Sequence, residues 1–335
     1  MKRKLSLLLA LILAFSFVLA ACSSSDEGEG GEGEAAGGDQ PETVNVKMAT
    51  GGTTGTYYAF GGAVATVLQN NVAGLTVDVQ STGASAANIN YVADGEVQIA
   101  IVQNDVMDYA YNGTDLFDGE KRTGFSSMAA CYAEVCQVIA SADSGIKTIA
   151  DLAGKRVSVG DAGSGVEFNA RQIMEAYGLT FDDIEKQNLS FGDSASAIKD
   201  GKIDAFFCTA GAPTTAVTEL ATTNDIVVVN VDGAEADALI AKYPFYTSYK
   251  IPADTYKGMT ADATTVAVKA TFIVADSLSE DLVYNMTKTL FDKKADIVAG
   301  HSKGTELDTT YAVEGVSVPF HPGAEKYFKE VGALS

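Results

Sequence analysis

The chain has 335 residues, of which 47% are hydrophobic and 20% charged, and its formal net charge is −21. So acidic a chain repels nucleic acid and anionic membrane surfaces, and no nucleic-acid partner is expected. Two histidines and four cysteines, without a CxxC or Cys/His spacing, leave little from which to build a zinc site or a Ser-His-Asp triad. No metal or other cofactor is expected.

Lys2, Arg3 and Lys4 precede an apolar run from Leu5 to Leu19. That run is short for a bilayer span of about 20 residues. Leu19-Ala20-Ala21-Cys22 resembles the lipobox of bacterial lipoproteins, which makes residues 1–21 a signal peptide and Cys22 the lipidated residue. Residues 22–42 are Ser, Gly, Glu and Asp with little that is apolar, the composition of a flexible tether. The folded part begins near Thr43 and is long enough for one large domain or two lobes. Of the cysteines it holds, Cys131, Cys136 and Cys208, the first two can pair outside the cytosol; buried free thiols are the main expectation.

Val44, Val46 and Met48 alternate as in a strand. The turn Gly51-Gly52-Thr53-Thr54-Gly55-Thr56 follows, with glycines that let a ligand approach the backbone. A helix is predicted from Tyr57 to Gln69, capped by Thr53, Thr54 or Thr56. Its first N–H groups and dipole would seat a carboxylate or phosphate. The turn lacks the Gly-Lys-Ser/Thr of a P-loop and the spacing of the dinucleotide fingerprint. The alternative is a connecting turn that binds nothing.

Leu75–Gln80 reads as a second strand. The turn Thr82–Ser85, with Gly83, Ala84 and Ser85, then opens a short helix through Val92. Val97–Val102 is a mostly apolar strand ending in Gln103-Asn104-Asp105. Three strand–turn–helix units imply a parallel sheet with helices on both faces. Ligands of such sheets sit beyond the carboxyl ends of the strands, where these two turns and Gln103 would lie.

Beyond a polar loop over 116–125, a strand is predicted within Met128–Ala140, a short helix over Ile146–Leu152 and a strand over Arg156–Val159. Gly160–Gly165 is a second glycine-rich turn, with Gly163, Ser164 and Gly165 facing ligand and Ser164 capping a helix from Val166 to Tyr177. Arg171 either reaches the cleft or pairs with Glu167 or Glu175. A helix from Ser194 to Lys199 and a strand over Ile203–Cys208 lead to the turn Thr209-Ala210-Gly211-Ala212-Pro213, with Pro213 at a first helical position. Ile226–Val231 completes a second βαβ series. Residues 245–256 are expected to pass between lobes, and 264–275 to be β. Leu278–Ala299 reads as one long amphipathic helix, and His321 as a turn residue before a last helix over Ala324–Val331.

Taken in order, these pieces resemble the TAXI-type solute-binding subunits of tripartite ATP-independent periplasmic (TRAP) transporters. The matching residues are the run Ala49–Tyr58, Gly83-Ala84-Ser85, Ile101–Asp105, Ala142–Ile146, Gly163-Ser164-Gly165, Lys199–Phe207, Tyr256-Lys257-Gly258 and Val318–Glu325. The resemblance implies a type II periplasmic-binding-protein fold. It also implies TRAP integral membrane subunits, a fused permease included, as partners, and a small carboxylate solute of the glutamate or 2-oxoglutarate class. Val166 and Asn104 depart from it, standing where Thr and Ser are expected.

The expectation is thus an α/β chain with a two-lobed, periplasmic-binding-protein-like type II fold. Each lobe is a mostly parallel sheet flanked by helices, with a ligand cleft between them: residues 43–135 with 250–335 form lobe 1, and 136–249 lobe 2. The chain would be an extracytoplasmic receptor anchored by lipid at Cys22, on the outer face of the cytoplasmic membrane or in the periplasm, with no catalytic residue. Thr53, Thr56, Gln103 and Ser164 would give neutral hydrogen bonds and Tyr57 a wall; Thr54, Gly55, Thr209, Ala210, Ala212 and Pro213 complete the candidate site. The alternatives are a binding protein for an ABC importer or a sensor, and a tethered hydrolytic enzyme. The last lacks a Gly-x-Ser-x-Gly elbow with a nearby base.

Overall fold

The structure, a computed structural model, describes residues 43–335. The expected signal peptide, tether and lipidation site at Cys22 lie outside the described residues. β1 (Val44–Ala49), α1 (Thr56–Asn71), β2 (Leu75–Gln80), α2 (Ser85–Ala93), β3 (Ile99–Gln103) and α3 (Asn104–Asn112) alternate along the chain. β1 pairs in parallel with both β2 and β3, as the three strand–turn–helix units require. The next elements are β4 (Phe125–Ser141), β5 (Arg156–Ser158), α4 (Gly165–Ala176), β6 (Glu185–Gln187), α5 (Phe191–Lys199), β7 (Ala205–Ala210) and α6 (Thr215–Thr223). Then come β8 (Ile226–Val229), α7 (Gly233–Lys242), β9 (Thr247–Ile251), β10 (Ala263–Ala275), α8 (Glu280–Asp292), α9 (Lys294–Gly300), α10 (Thr309–Val313) and α11 (Pro322–Glu330).

All ten strands join one mixed sheet, ordered β2-β1-β3-β10-β4-β7-β5-β6, with β8 on β4 and β9 on β10. β4 and β10 run antiparallel from Phe125 opposite Ala275 to Val135 opposite Ala267. Both strands pass from one hydrophobic core to another. Met128, Cys131 and Tyr132 of β4, with Phe272 and Val274 of β10, pack with Met48 and Phe60. Cys136 and Val138 of β4, with Val266 and Val268 of β10, pack with Val157, Ile173 and Phe207. The register shifts at Ala270/Thr271 and Phe272/Ile273, so the ladder is irregular along the part of β10 that packs in the first core. Every residue of β7 is buried, in keeping with its mostly apolar run broken only by Thr209. Phe60 and Tyr132 meet edge to face at 5.1 Å, and burying each ring is worth about 1.5–3 kcal/mol.

The α/β, periplasmic-binding-protein-like class is what the structure has. Several finer expectations are corrected. Leu278–Ala299 is two helices, because the chain turns out of helix at Lys293. Two further helices, Asn104–Asn112 and Gly233–Lys242, are not among the elements expected from the sequence. Residues 247–251 are not a plain crossing but β9, paired with β10. Pro213 precedes α6 by two residues, across a cis Ala212–Pro213 bond, and Thr214 is the N-cap. Cys131, Cys136 and Cys208 are buried free thiols. Among the described residues no helix is long and apolar enough to cross a membrane.

Candidate functional site

Three helices open beside the ends of β3 and β7, and the space between them is a cavity of about 490 Å³, part of it continuous with solvent. Gly51, Gly52, Gly55, Thr56 and Tyr57 bring the start of α1 to it, and Ala84 and Ser85 the start of α2. Asp161, Ser164, Gly165 and Val166 bring the start of α4; Gln103 ends β3, and Thr209 and Ala210 end β7.

The sequence dictates these openings locally. Gly160 holds φ 87°, and a β-carbon there would lie 2.7 Å from that of Val166, so the chain turns sharply into α4 only with glycine. Ser164 caps α4 by accepting from the Glu167 N–H at 3.3 Å. Glu167 ties the turn in place: Gly163 N–H donates to its Oε2 at 2.7 Å, and Lys186 Nζ to its Oε1 at 2.5 Å. Although burial pushes the other way, Lys186, Gly163 and Asn188 hold the Glu167 carboxyl below its usual range. The cap of α1 is Gly55, without a side-chain bond, which corrects the expectation that Thr53, Thr54 or Thr56 serves. α2, capped by Ala84, also has no side-chain cap. The first N–H groups of both helices are therefore left for solvent or ligand.

At the cavity floor lies Glu134 of β4, 2% exposed, whose Oε2 accepts from the Tyr57 hydroxyl at 2.5 Å. Burial pushes its carboxyl up to about 8, against the pull of Tyr57, Gln103 and Lys303. Burial, and then Glu134, likewise raise Tyr57 well above its ordinary value. The Gln103 N–H donates to Ser85 Oγ at 3.1 Å, while Gln103 Oε1 is buried without a hydrogen-bond partner. A β-carbon on Gly165 would meet that Oε1 at 2.1 Å. The opposite sides of the cavity are in contact: Thr56 Oγ donates to the Gly211 carbonyl at 3.1 Å, and Ala216 N–H to the Thr54 carbonyl at 3.2 Å.

Of the candidates read from sequence, those named above at the three helix openings, with Gln103, Thr209 and Ala210, meet at this one cavity. Thr53, Thr54 and Gly83 line a depression adjoining it, which shares Gly52 and Asp161. Gly163, Ala212 and Pro213 are not among the lining residues. Thr56 donates its hydroxyl to Gly211, whereas Ser164 Oγ accepts from the Glu167 N–H at the α4 cap and keeps its own O–H for another acceptor. Arg171 pairs with Glu175 at 2.9 Å and with Asp115, the ion-pair alternative. Sequence reasoning missed Glu134, Asp161, Val166 and Phe191. Glu134 had a signal, a lone charge inside an otherwise buried strand. Phe191 had none, since it reaches Gly55 only through the fold. Among the described residues no cluster of His, Cys, Asp and Glu could hold a metal ion.

The fold is α/β and periplasmic-binding-protein-like, with a cavity at its helix openings. Residues 48–332 match the NMT1-like family, and the chain belongs to it. Its fold is that of PhnD1 from Prochlorococcus marinus, solved with methylphosphonate (TM-score 0.55, 8% identity, 87% of this chain and 99% of that one). It is also that of a putative L-cystine ABC transporter from Listeria monocytogenes (TM-score 0.50, 17% identity, 77% of this chain and 94% of that one). These findings correct the TAXI-type TRAP resemblance, and with it the TRAP membrane subunits as partners: the family matched is NMT1-like, and the likeness in fold is to a protein described as an ABC transporter. The short glycine–threonine motifs behind that resemblance are what a helix opening in this fold requires, so they do not discriminate between transport systems.

Proposed function

We propose that the chain is the solute-capturing component of an ABC-type importer, working outside the cytoplasm. The observation that supports this best is the cavity itself. Three helix N-termini converge on it, and its opposite walls touch through Thr56–Gly211 and Gly165–Gln103. The two lobes are taken as 43–135 with 250–335 and 136–249, joined through the long strands β4 and β10, with Val266 and Val268 of β10 reaching into the core of the second. A small solute with an acidic group seats that group on the uncapped starts of α1 and α2 and on the start of α4. Contacts from both lobes exist only in the closed form, so solute shifts the population toward closure.

The protein delivers this solute unchanged to the membrane partner. Cys22 carries the lipid that keeps the receptor at the membrane; the intact mass of detergent-extracted protein tests this.

Binding is measured by calorimetry on residues 43–335, unfolded and refolded to strip carried-over solute. The panel is small carboxylates, sulfonates, phosphonates, neutral amino acids and sugars. Saturable binding of an acid-bearing compound supports the reading, with a stabilisation of about 2.7 kcal/mol at 100 times its Kd. Binding by sugars alone overturns it, as does turnover of the bound compound.

A further inference from the structure

The cavity is poor in positive charge for a site that takes a simple anion. Among the described residues none of its lining side chains is Lys, Arg or His, whereas two, Glu134 and Asp161, are carboxylic acids. The nearest base behind the floor, Lys303, is engaged: it is buried and bonds Glu306 at 2.5 Å. Among the described residues, the polar side-chain atom of this cavity left buried without a partner is an acceptor, Gln103 Oε1, on a residue 2% exposed. It packs against Gly165 at the opening of α4, an approach that a side chain at 165 would not permit. A buried acceptor without a donor is costly, and a ligand N–H would satisfy it.

From this we infer that the cavity floor is an ammonium subsite: Glu134 and Gln103 Oε1 hold a protonated amino group of the solute. This deepens the proposed capture function and rests on it. The solute then carries two ends. Its acidic end meets the helix openings, and its ammonium end meets Glu134 and Gln103, with Asp161 adding a second negative charge at the α4 turn. Glu134 is the specificity residue. Tyr57 holds one of its oxygens through the bond at 2.5 Å and so fixes the carboxylate plane.

The two readings of Glu134 have opposite pH dependence. An ammonium ligand selects the ionised carboxylate, releases the proton of Glu134 on binding, and binds more tightly as pH rises toward 8. A bare anion selects the neutral acid and binds more weakly over the same range. The groups that face Glu134 are Tyr57 on α1, Gln103 at the end of β3, Asp105 on α3, Tyr132 and Cys136 on β4, Cys208 on β7, Lys303 with Glu306, and Tyr311 on α10. Asp105, with a pKa raised to about 7, is the one other carboxyl of this set shifted into the same range, so the Asp105→Asn variant is measured beside the wild type.

The experiment is calorimetric titration of refolded protein, residues 43–335, with matched pairs: γ-aminobutyrate against butyrate, taurine against ethanesulfonate, 2-aminoethylphosphonate against ethylphosphonate. At least one amine is expected to bind tenfold or more tightly than its deaminated partner. Its affinity should rise from pH 6 to pH 8, and Glu134→Gln should lower the preference at least tenfold while keeping the far-UV circular dichroism of the wild type. A deaminated compound binding as tightly as its amine, or an affinity that falls from pH 6 to pH 8, overturns the ammonium subsite and leaves the capture function standing. If no compound of either set binds, the small-acid capture reading falls and the subsite falls with it.

Discussion

Gly165 and Gln103 fit each other across the cavity so closely that a β-carbon on the glycine would lie 2.1 Å from the Gln103 Oε1. Two elements far apart in sequence, the end of β3 and the start of α4, therefore approach to contact only because residue 165 has no side chain. Gly165→Ala keeps α4 intact, since alanine is the better helix former by about 1 kcal/mol. The variant should melt no lower than the wild type without solute, yet bind solute at least tenfold more weakly. Its radius of gyration in solution should stay that of the open form when solute is added. Wild-type affinity in the variant would mean that the contact plays no part in closure.

The sequence revealed the devices of this site more readily than their assignment. Strand-to-helix turns at Gly51–Thr56, Thr82–Ser85 and Gly160–Gly165 are local, and glycine spacing identifies them. What those turns do with their hydroxyls is not local. Thr56 bonds Gly211, 155 residues on, and no pattern near Thr56 foretells it. Glu134 was visible as a charge in a buried strand, but its partner Tyr57 lies on another element, 77 residues away. The parallel βαβ order was legible because each unit repeats one hydrophobic pattern. The joining of both halves into one sheet was not, because it depends on β4 and β10 pairing across more than a hundred residues.

Thr56→Val removes one hydrogen bond between the two sides of the cavity and keeps the shape of the side chain. The Gly211 carbonyl retains the Thr214 hydroxyl at 3.0 Å, so no acceptor is orphaned. The loss is then about 1 kcal/mol, or roughly fivefold in solute affinity. Calorimetric titration of the variant checks this; a change below twofold would show that the bond is equally present in the open form.

Glu167 holds the α4 turn rather than the solute. Glu167→Gln loses the charged bond to Lys186 and weakens the acceptor for Gly163 N–H, for a loss of about 1–3 kcal/mol at pH 7. Its carboxyl lies below the ordinary value in the folded chain. Its contribution is therefore present above the unfolded pKa and disappears as pH falls through the folded one. Urea midpoints of wild type and variant should differ at pH 7 and converge toward pH 3. A difference that persists at pH 3 would place the effect in packing instead of charge.

Asp105 behaves in the opposite sense. It is fully buried at the start of α3, accepts from Asn169 Nδ2 at 2.9 Å, and leaves its Oδ1 unpartnered. Burial pushes its pKa up to about 7, with the Val106 and Asn169 bonds pulling back. Between the unfolded value near 4 and the folded value near 7, the folded chain binds more protons than the unfolded one, so stability falls as pH rises through that window. Complete ionisation of Asp105 costs a few kcal/mol on this account. Asp105→Asn keeps the shape and the bond to Asn169 but cannot ionise. The variant should therefore match the wild type near pH 4 and exceed it by 1 kcal/mol or more near pH 8, read from urea midpoints at both values. Equal differences at the two pH values would mean that Asp105 is ionised throughout, its charge balanced by the Asn169–Tyr246–Gln172 chain of hydrogen bonds that packs α4 against α3.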